Sequence, residues 1–196
     1  MRRLATRTFF ALFVLLSTYA CDATMKKPDI KLNPNPRMRY EITMRIEGAP
    51  GKFDRIEGYA DYEVVNPASV PLTPFSGATI VPQRRETIEF KPVSENVYKA
   101  EVYLDRFMDE DYFGQGVCRW SLVSVGAGLR HGPITFSPGI LNKDILGGST
   151  VTRYFANASY ADGSMERIDI GVGDPKEYKR PDDTFTVTLQ ASEKLP

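Results

Sequence analysis

Met38, Tyr40, Ile42, Met44 and Ile46 alternate with Arg39, Glu41, Thr43, Arg45 and Glu47. A β-strand sends successive side chains to opposite faces, so this stretch buries one face and wets the other; a helix would scatter the same apolar residues around its axis. Such a strand needs a second apolar surface to cover it, and the rest of the chain repeats the pattern. Ile56, Ala60, Tyr62 and Val64 alternate after the breakers of "GAPGKFD", and the two strands are predicted to pair as a hairpin. Residues 84–91 read as a strand. Tyr98, Ala100, Val102 and Leu104 alternate in another, and residues 117–125 place Cys118, Trp120 and Leu122 on one face. "GPITFSPG" reads as a short strand. Residues 150–160 are β-branched and aromatic, Asp162-Gly163 is a two-residue turn signal, and residues 165–172 are predicted to pair back. Phe185, Val187 and Leu189 alternate with threonines in the last strand.

The expected fold is therefore all-β: an antiparallel β-sandwich of about eight or nine strands with at most one or two short helical turns. An open barrel is the second architecture. One helical turn is predicted in "DRFMDEDYF". The stretch "NPASVPLTPFSGATIVP", residues 66–82, holds four prolines, which exclude a regular strand or helix through it. It is expected to cross between two sheets.

The first 37 residues follow another logic. Arg2, Arg3 and Arg7 precede an eight-residue apolar run from Phe9 to Leu16, then small residues lead to Ala20. That is the layout of a secretory signal peptide, and the run is too short to span a bilayer. Residues 1–20 are read as the signal peptide, residues 21–37 as a flexible tether and residues 38–196 as one domain. Two processing routes are open. Thr18-Tyr19-Ala20 fits a small-x-small cleavage site that releases a soluble protein. Alternatively Cys21 is lipidated, since Ala20-Cys21 resembles a bacterial lipoprotein signal, although Thr18 and Tyr19 depart from its usual residues. The polar, proline-studded stretch after Cys21 suits a tether and favours lipidation. Asp22 resembles the signal that retains enterobacterial lipoproteins in the inner membrane, which places the domain in the periplasm.

Without the leader, 22 basic side chains face 25 acidic ones. Nucleic-acid binding needs clustered positive charge, so no nucleic-acid partner is expected. His131 is the only histidine, in a stretch read as a loop, and no G-x-S-x-G segment accompanies it; a serine triad and a zinc site both lack their residues. "GQGVCR" lacks the third glycine of a dinucleotide loop. A calcium loop starting at Asp109 would find Phe113 and Trp120 at two ligand positions. No metal, cofactor or small-molecule substrate is expected, and no enzymatic activity.

What stands out is a crowded corner. Asp105, Asp109, Glu110, Asp111, Tyr112 and Phe113 mix carboxylates with aromatic rings, a composition that suits protein recognition. Tyr103 is expected to join Tyr112 and Phe113 in an exposed patch, with Tyr98 and Trp120 in the core. The phrases "GAPGKFDRIEGYADYEVVNP", "PFSGA", "VYKAEVYLDRFMDEDYFGQGVCRW" and "FSPGIL" resemble a group of small bacterial lipoproteins, over residues 38–140. Those are immunity proteins against type VI secretion lipase effectors. The resemblance implies a non-catalytic protein that binds an incoming phospholipase in the periplasm, with loops 105–116 and 66–82 as the contact candidates. In that group a cysteine often precedes the Val-Pro of the proline-rich connection and is able to bridge to the one in "GVCRW". Here Ser69 precedes Val70-Pro71, so Cys118 lacks that partner. A structural or assembly lipoprotein of the envelope, without inhibitory role, is the alternative.

Overall fold

The computed structural model describes residues 28–73 and 76–194. The signal peptide 1–20, the lipidation candidate Cys21 and Asp22 lie outside the described residues.

The described residues form an all-β sandwich of eleven strands in two sheets. The first sheet contains β1 (Arg39–Glu47), β4 (Lys91–Ser94), β5 (Val97–Tyr103), β9 (Thr150–Ala156) and β11 (Thr184–Lys194), in the order β4-β5-β1-β11-β9. The second contains β2 (Arg55–Val64), β3 (Gln83–Ile88), β6 (Trp120–His131), β7 (Ile134–Phe136), β8 (Gly139–Leu141) and β10 (Arg167–Asp169). Its order is β10-β7-β6-β2-β3, and β8 shares with β7 one edge of the long β6. All pairs are antiparallel except β10 on β7. Two short helices, α1 (Asn142–Leu146) and α2 (Asn157–Ala161), complete the regular structure. None of the described helices is long and apolar enough to cross a membrane.

The period-two pattern decides the packing. Ile42, Met44 and Ile46 on β1 are buried with Phe185, Val187 and Leu189 on β11. They share one core with Ala60, Tyr62, Leu122, Val125 and Leu129 of the other sheet. At one end of this core Phe136, Phe155 and Phe185 lie fully buried, with ring centroids 5.1 to 5.4 Å apart. Phe53 meets Phe136 edge to face, and Tyr160 meets Phe53 and Phe185 the same way. Offset and edge-to-face rings add to plain area burial because the positive ring edge meets a negative face.

Several expectations are corrected. β1 and β2 do not pair as a hairpin. Their apolar faces bury one another from opposite sheets, and 48–54, with Gly48 at φ 72°, carries the chain across. Residues 66–82 do the reverse: they join β2 to its in-sheet neighbour β3, through a short 3-10 turn at Pro67–Ser69. Residues 105–113 hold no helical turn. Phe107 and Glu110 make isolated bridges to Leu32 and Cys118, which draw the backbone into an extended path. Residues 157–161 are helical, so the Asp162-Gly163 turn does not close a β-hairpin. β10 instead joins β7 in parallel, while Val172 bridges Tyr154 of β9. His131 ends β6 opposite Ile134 and stacks on Tyr160 at 3.8 Å between centroids. The strand count exceeds the expected one because 84–91 divides into parts of two strands in different sheets, and because β7, β8 and β10 are only three residues each.

Candidate functional site

The two ends of the sandwich differ in build. β1, β5 and β11 bring residues 39, 103 and 194 to one end, and the same end receives 64–83, 104–119 and 142–149. Every candidate contact residue is there.

The corner is held in place by its own carboxylates. Asp105 accepts hydrogen bonds from the backbone N–H of Arg37 (2.8 Å) and of Met38 (3.0 Å), one on each oxygen. The Asn33 amide donates to the Asp105 carbonyl at 2.9 Å. Asp109 accepts from the Trp120 N–H at 2.8 Å. Glu110 pairs with Lys31 at 2.8 Å, and that contact raises the Lys31 pKa. The Asp111 carboxylate receives the N–H groups of Phe113 and Gln115 at 3.3 and 3.1 Å. Desolvation pushes its pKa up. The N–H groups of Gly116, Gly114, Phe113 and Gln115 outweigh that and hold it below the ordinary value. Tyr112 donates from its hydroxyl to the Met108 carbonyl at 2.8 Å and accepts from the Lys31 N–H at 3.3 Å. Burial raises its pKa, against the opposing Lys31 N–H. Side chains that bond nearby backbone groups offer the chain an alternative to helix, which is the physical reason the predicted turn is absent.

These contacts revise the tether. Ile30 packs against the main core. The Met108 N–H donates to the Lys31 carbonyl at 3.0 Å and the Asn33 N–H to the Arg106 carbonyl at 2.9 Å. Leu32 bridges Phe107. Residues 30–38 are thus clamped along 104–108, and the domain's contacts begin before position 38.

Beneath the corner lies a second, small apolar cluster. Val64, Val70 and Cys118 are buried, with Tyr112, Phe113, Val81 and Trp120 packed around them. Tyr112 and Phe113 are half-buried and serve this cluster, while Asp111 and residues 114–117 stay exposed. Tyr103 projects elsewhere: it lines a separate depression with Arg37, Arg39 and Lys194. Tyr98 and Trp120 are half-buried and pack against the main core. Ser69 and Cys118 touch. The Ser69 hydroxyl donates to the Cys118 sulfur at 3.3 Å, so the two positions stand face to face across 49 residues of chain. Beside the corner, a cleft of about 500 Å³ is lined by Met38, Phe107, Met108, Trp120 and Leu146. Among the described residues, no group of three or more His, Cys, Asp or Glu side chains converges as a metal site would require.

Comparison with protein-family models, with curated proteins and with solved structures finds no match.

Three residues of the site were invisible to pattern reasoning. Asn66 donates to the Val117 carbonyl at 2.8 Å and accepts from the Arg119 N–H at 2.7 Å, extending the β2–β6 pairing with a side chain. Lys31 and Asn33 fell within the presumed tether. The available signal was Asn-Pro, which occurs at 33–34, 35–36 and 66–67; asparagine before proline favours an extended residue with a side chain free to bond the backbone.

Proposed function

We propose that this chain is a lipid-anchored periplasmic protein that binds and neutralises a toxic effector, a phospholipase delivered by type VI secretion. The leader ending in Ala20-Cys21 supports export and anchoring, and the family resemblance over 38–140 supports the partner class. The observation that carries the binding part is the preorganised corner. Asp105, Asp109, Glu110 and Asp111 fix 105–116 in one geometry before any partner arrives, so little ordering cost falls on binding. Within it, Asp105 and Asp109 brace the backbone. Asp111, Tyr112 and Phe113 form the outer rim and are the contact residues of this reading.

The test is co-purification of the chain with candidate type VI secretion lipases, followed by lipase assay. A stoichiometric complex that suppresses hydrolysis is expected. Asp111→Asn, which removes the charge and keeps an oxygen for the Phe113 and Gln115 N–H groups, should weaken it while leaving the thermal transition nearly in place. Absence of both complex and inhibition would leave the envelope structural role standing instead.

A further inference from the structure

We infer that the end of the sandwich bearing the clamped segment 30–38 is a lipid-contacting face, which rests on the bilayer surface instead of standing off it. The inference rests on the reading of Cys21 as the lipid anchor. Two independent observations lead to it.

The first is reach. With 21–37 as a free tether, the domain would sit up to about 60 Å from the membrane, at roughly 3.5 Å per extended residue. The clamp removes most of that length. Only residues 22–27 separate Cys21 from Pro28, so the anchor lies at most about 25 Å from the point where the chain joins this end. A sandwich held that closely by one end turns that end to the membrane.

The second is where apolar surface is exposed. Among the described residues twelve large apolar side chains are exposed, and seven of them belong to this end. They occur as neighbours, not singly. Leu72 bridges Thr79, the neighbour of Ile80. Val65 and Val117 are joined through the Asn66 side chain and the Val65 N–H to Arg119 bond. Met38 and Leu146 border the same cleft. The opposite end exposes Met165 in the stretch from α2 to β10, and Val93, Ile168 and Ile170 are exposed on the short outer strands β4 and β10 and just past them. Grouped exposed apolar side chains mark a contact surface, and in an anchored protein the nearest apolar phase is the bilayer. Charges at this end are mixed: Lys31, Arg37, Arg119 and Lys143 stand among Asp29, Asp109, Glu110, Asp111 and Asp144. Apolar insertion, not attraction to anionic headgroups, then carries the contact, and added salt should leave it in place. The acidic corner would lie at headgroup level, where a phospholipase meets its substrate.

The test uses the full chain, processed in cells and reconstituted into phosphatidylethanolamine–phosphatidylglycerol vesicles. A fluorophore is placed at Ile80→Cys or, at the far end, at Lys52→Cys; Cys118 is buried and stays unlabelled. Headgroup-spin-labelled lipid should quench the label at position 80, in low and high salt alike, and leave the label at position 52 bright. Equal brightness at both positions overturns the inference. So does quenching at position 80 that appears only at high protein-to-lipid ratio, which would mean a second copy covers the face. In a Leu72→Asp/Ile80→Asp chain labelled at Val117→Cys, quenching should fall while flotation with vesicles persists through the anchor. Flotation of Cys21→Ala decides the anchor separately: if it equals that of the parent chain, the anchoring reading fails whatever the label at position 80 reports.

Discussion

The two ends of the sandwich are closed by different physics. The far end is plugged by rings: Phe53, Phe136, Tyr160 and Phe185 interlock, and His131 stacks outside them. The near end is closed by polar clamps, in which carboxylates and asparagines hold three long segments by their backbone N–H groups. Ring packing is insensitive to pH and costly to interrupt. Polar clamping is cheaper to break and responds to acid. The stable closure lies away from the clamped segment 30–38, and the adjustable one includes it.

Phe136→Ala strikes the first kind of closure and should be the most damaging change. Phe136 is fully buried against four other rings, so its removal leaves a cavity costing about 3–5 kcal/mol. Denaturant unfolding should show one shifted transition, with both ends melting together. Next comes a change that strengthens the near end. Ser69→Cys sets a thiol against Cys118, and a disulfide closing a loop of this length stabilises by about 3–4 kcal/mol. Mass spectrometry should find the 69–118 bridge in oxidised protein, and reductant should reverse the gain. If the thiols stay free under oxidant, their geometry is wrong for a bridge.

Asp105→Ala is expected to cost less, about 1–2 kcal/mol, because water replaces part of what the carboxylate gave. Its signature is local. Amide exchange should accelerate across 31–38 and stay slow in 131–136; uniform acceleration would mean that the clamp and the ring plug are one cooperative unit. Acid gives the smallest effect. Asp111 is held below the ordinary carboxylate value by backbone N–H groups, and Asp162, beyond α2, is held to about 2 by Ser164 and Arg167. A lowered folded-state pKa means stability that is complete above the unfolded carboxylate pKa and lost as pH falls through the folded one. Amides of Phe113 and Gln115 should therefore lose protection only on acidification below the usual carboxylate range, and Ser164 should keep its shift until about pH 2. Loss of either near neutral pH would contradict these hydrogen bonds.

Strand existence was legible because burial on one face leaves a period-two trace in residues such as Ile42, Met44, Phe185 and Val187. Partner choice was not, because β1 carries the same trace whether its neighbour is β2 or β11. The order of pairing depends on chain crossings such as 48–54, which leave no periodic mark. At the candidate site the crowding of 105–113 was visible, but its division of labour was not. Asp105 and Asp111 are the same residue type in one run, and only the position of Met38 and of Gln115 separates a brace from a rim. The contact of Ser69 with Cys118 was implied by family resemblance alone; the proline-rich spacing of 66–82 does not reveal it.

The pairing of β1 with β11 has a consequence for how the protein is made. These strands begin and end the domain, run in register from Arg39–Lys194 to Glu47–Thr186, and stand in the interior of their sheet. A chain emerging from the ribosome N-terminus first offers β1 long before β11. Until β11 appears, one edge of β1 lacks its partner, and the sheet cannot close. Closure thus waits on one of the most distant pairings in the domain, the kind of contact that slows folding.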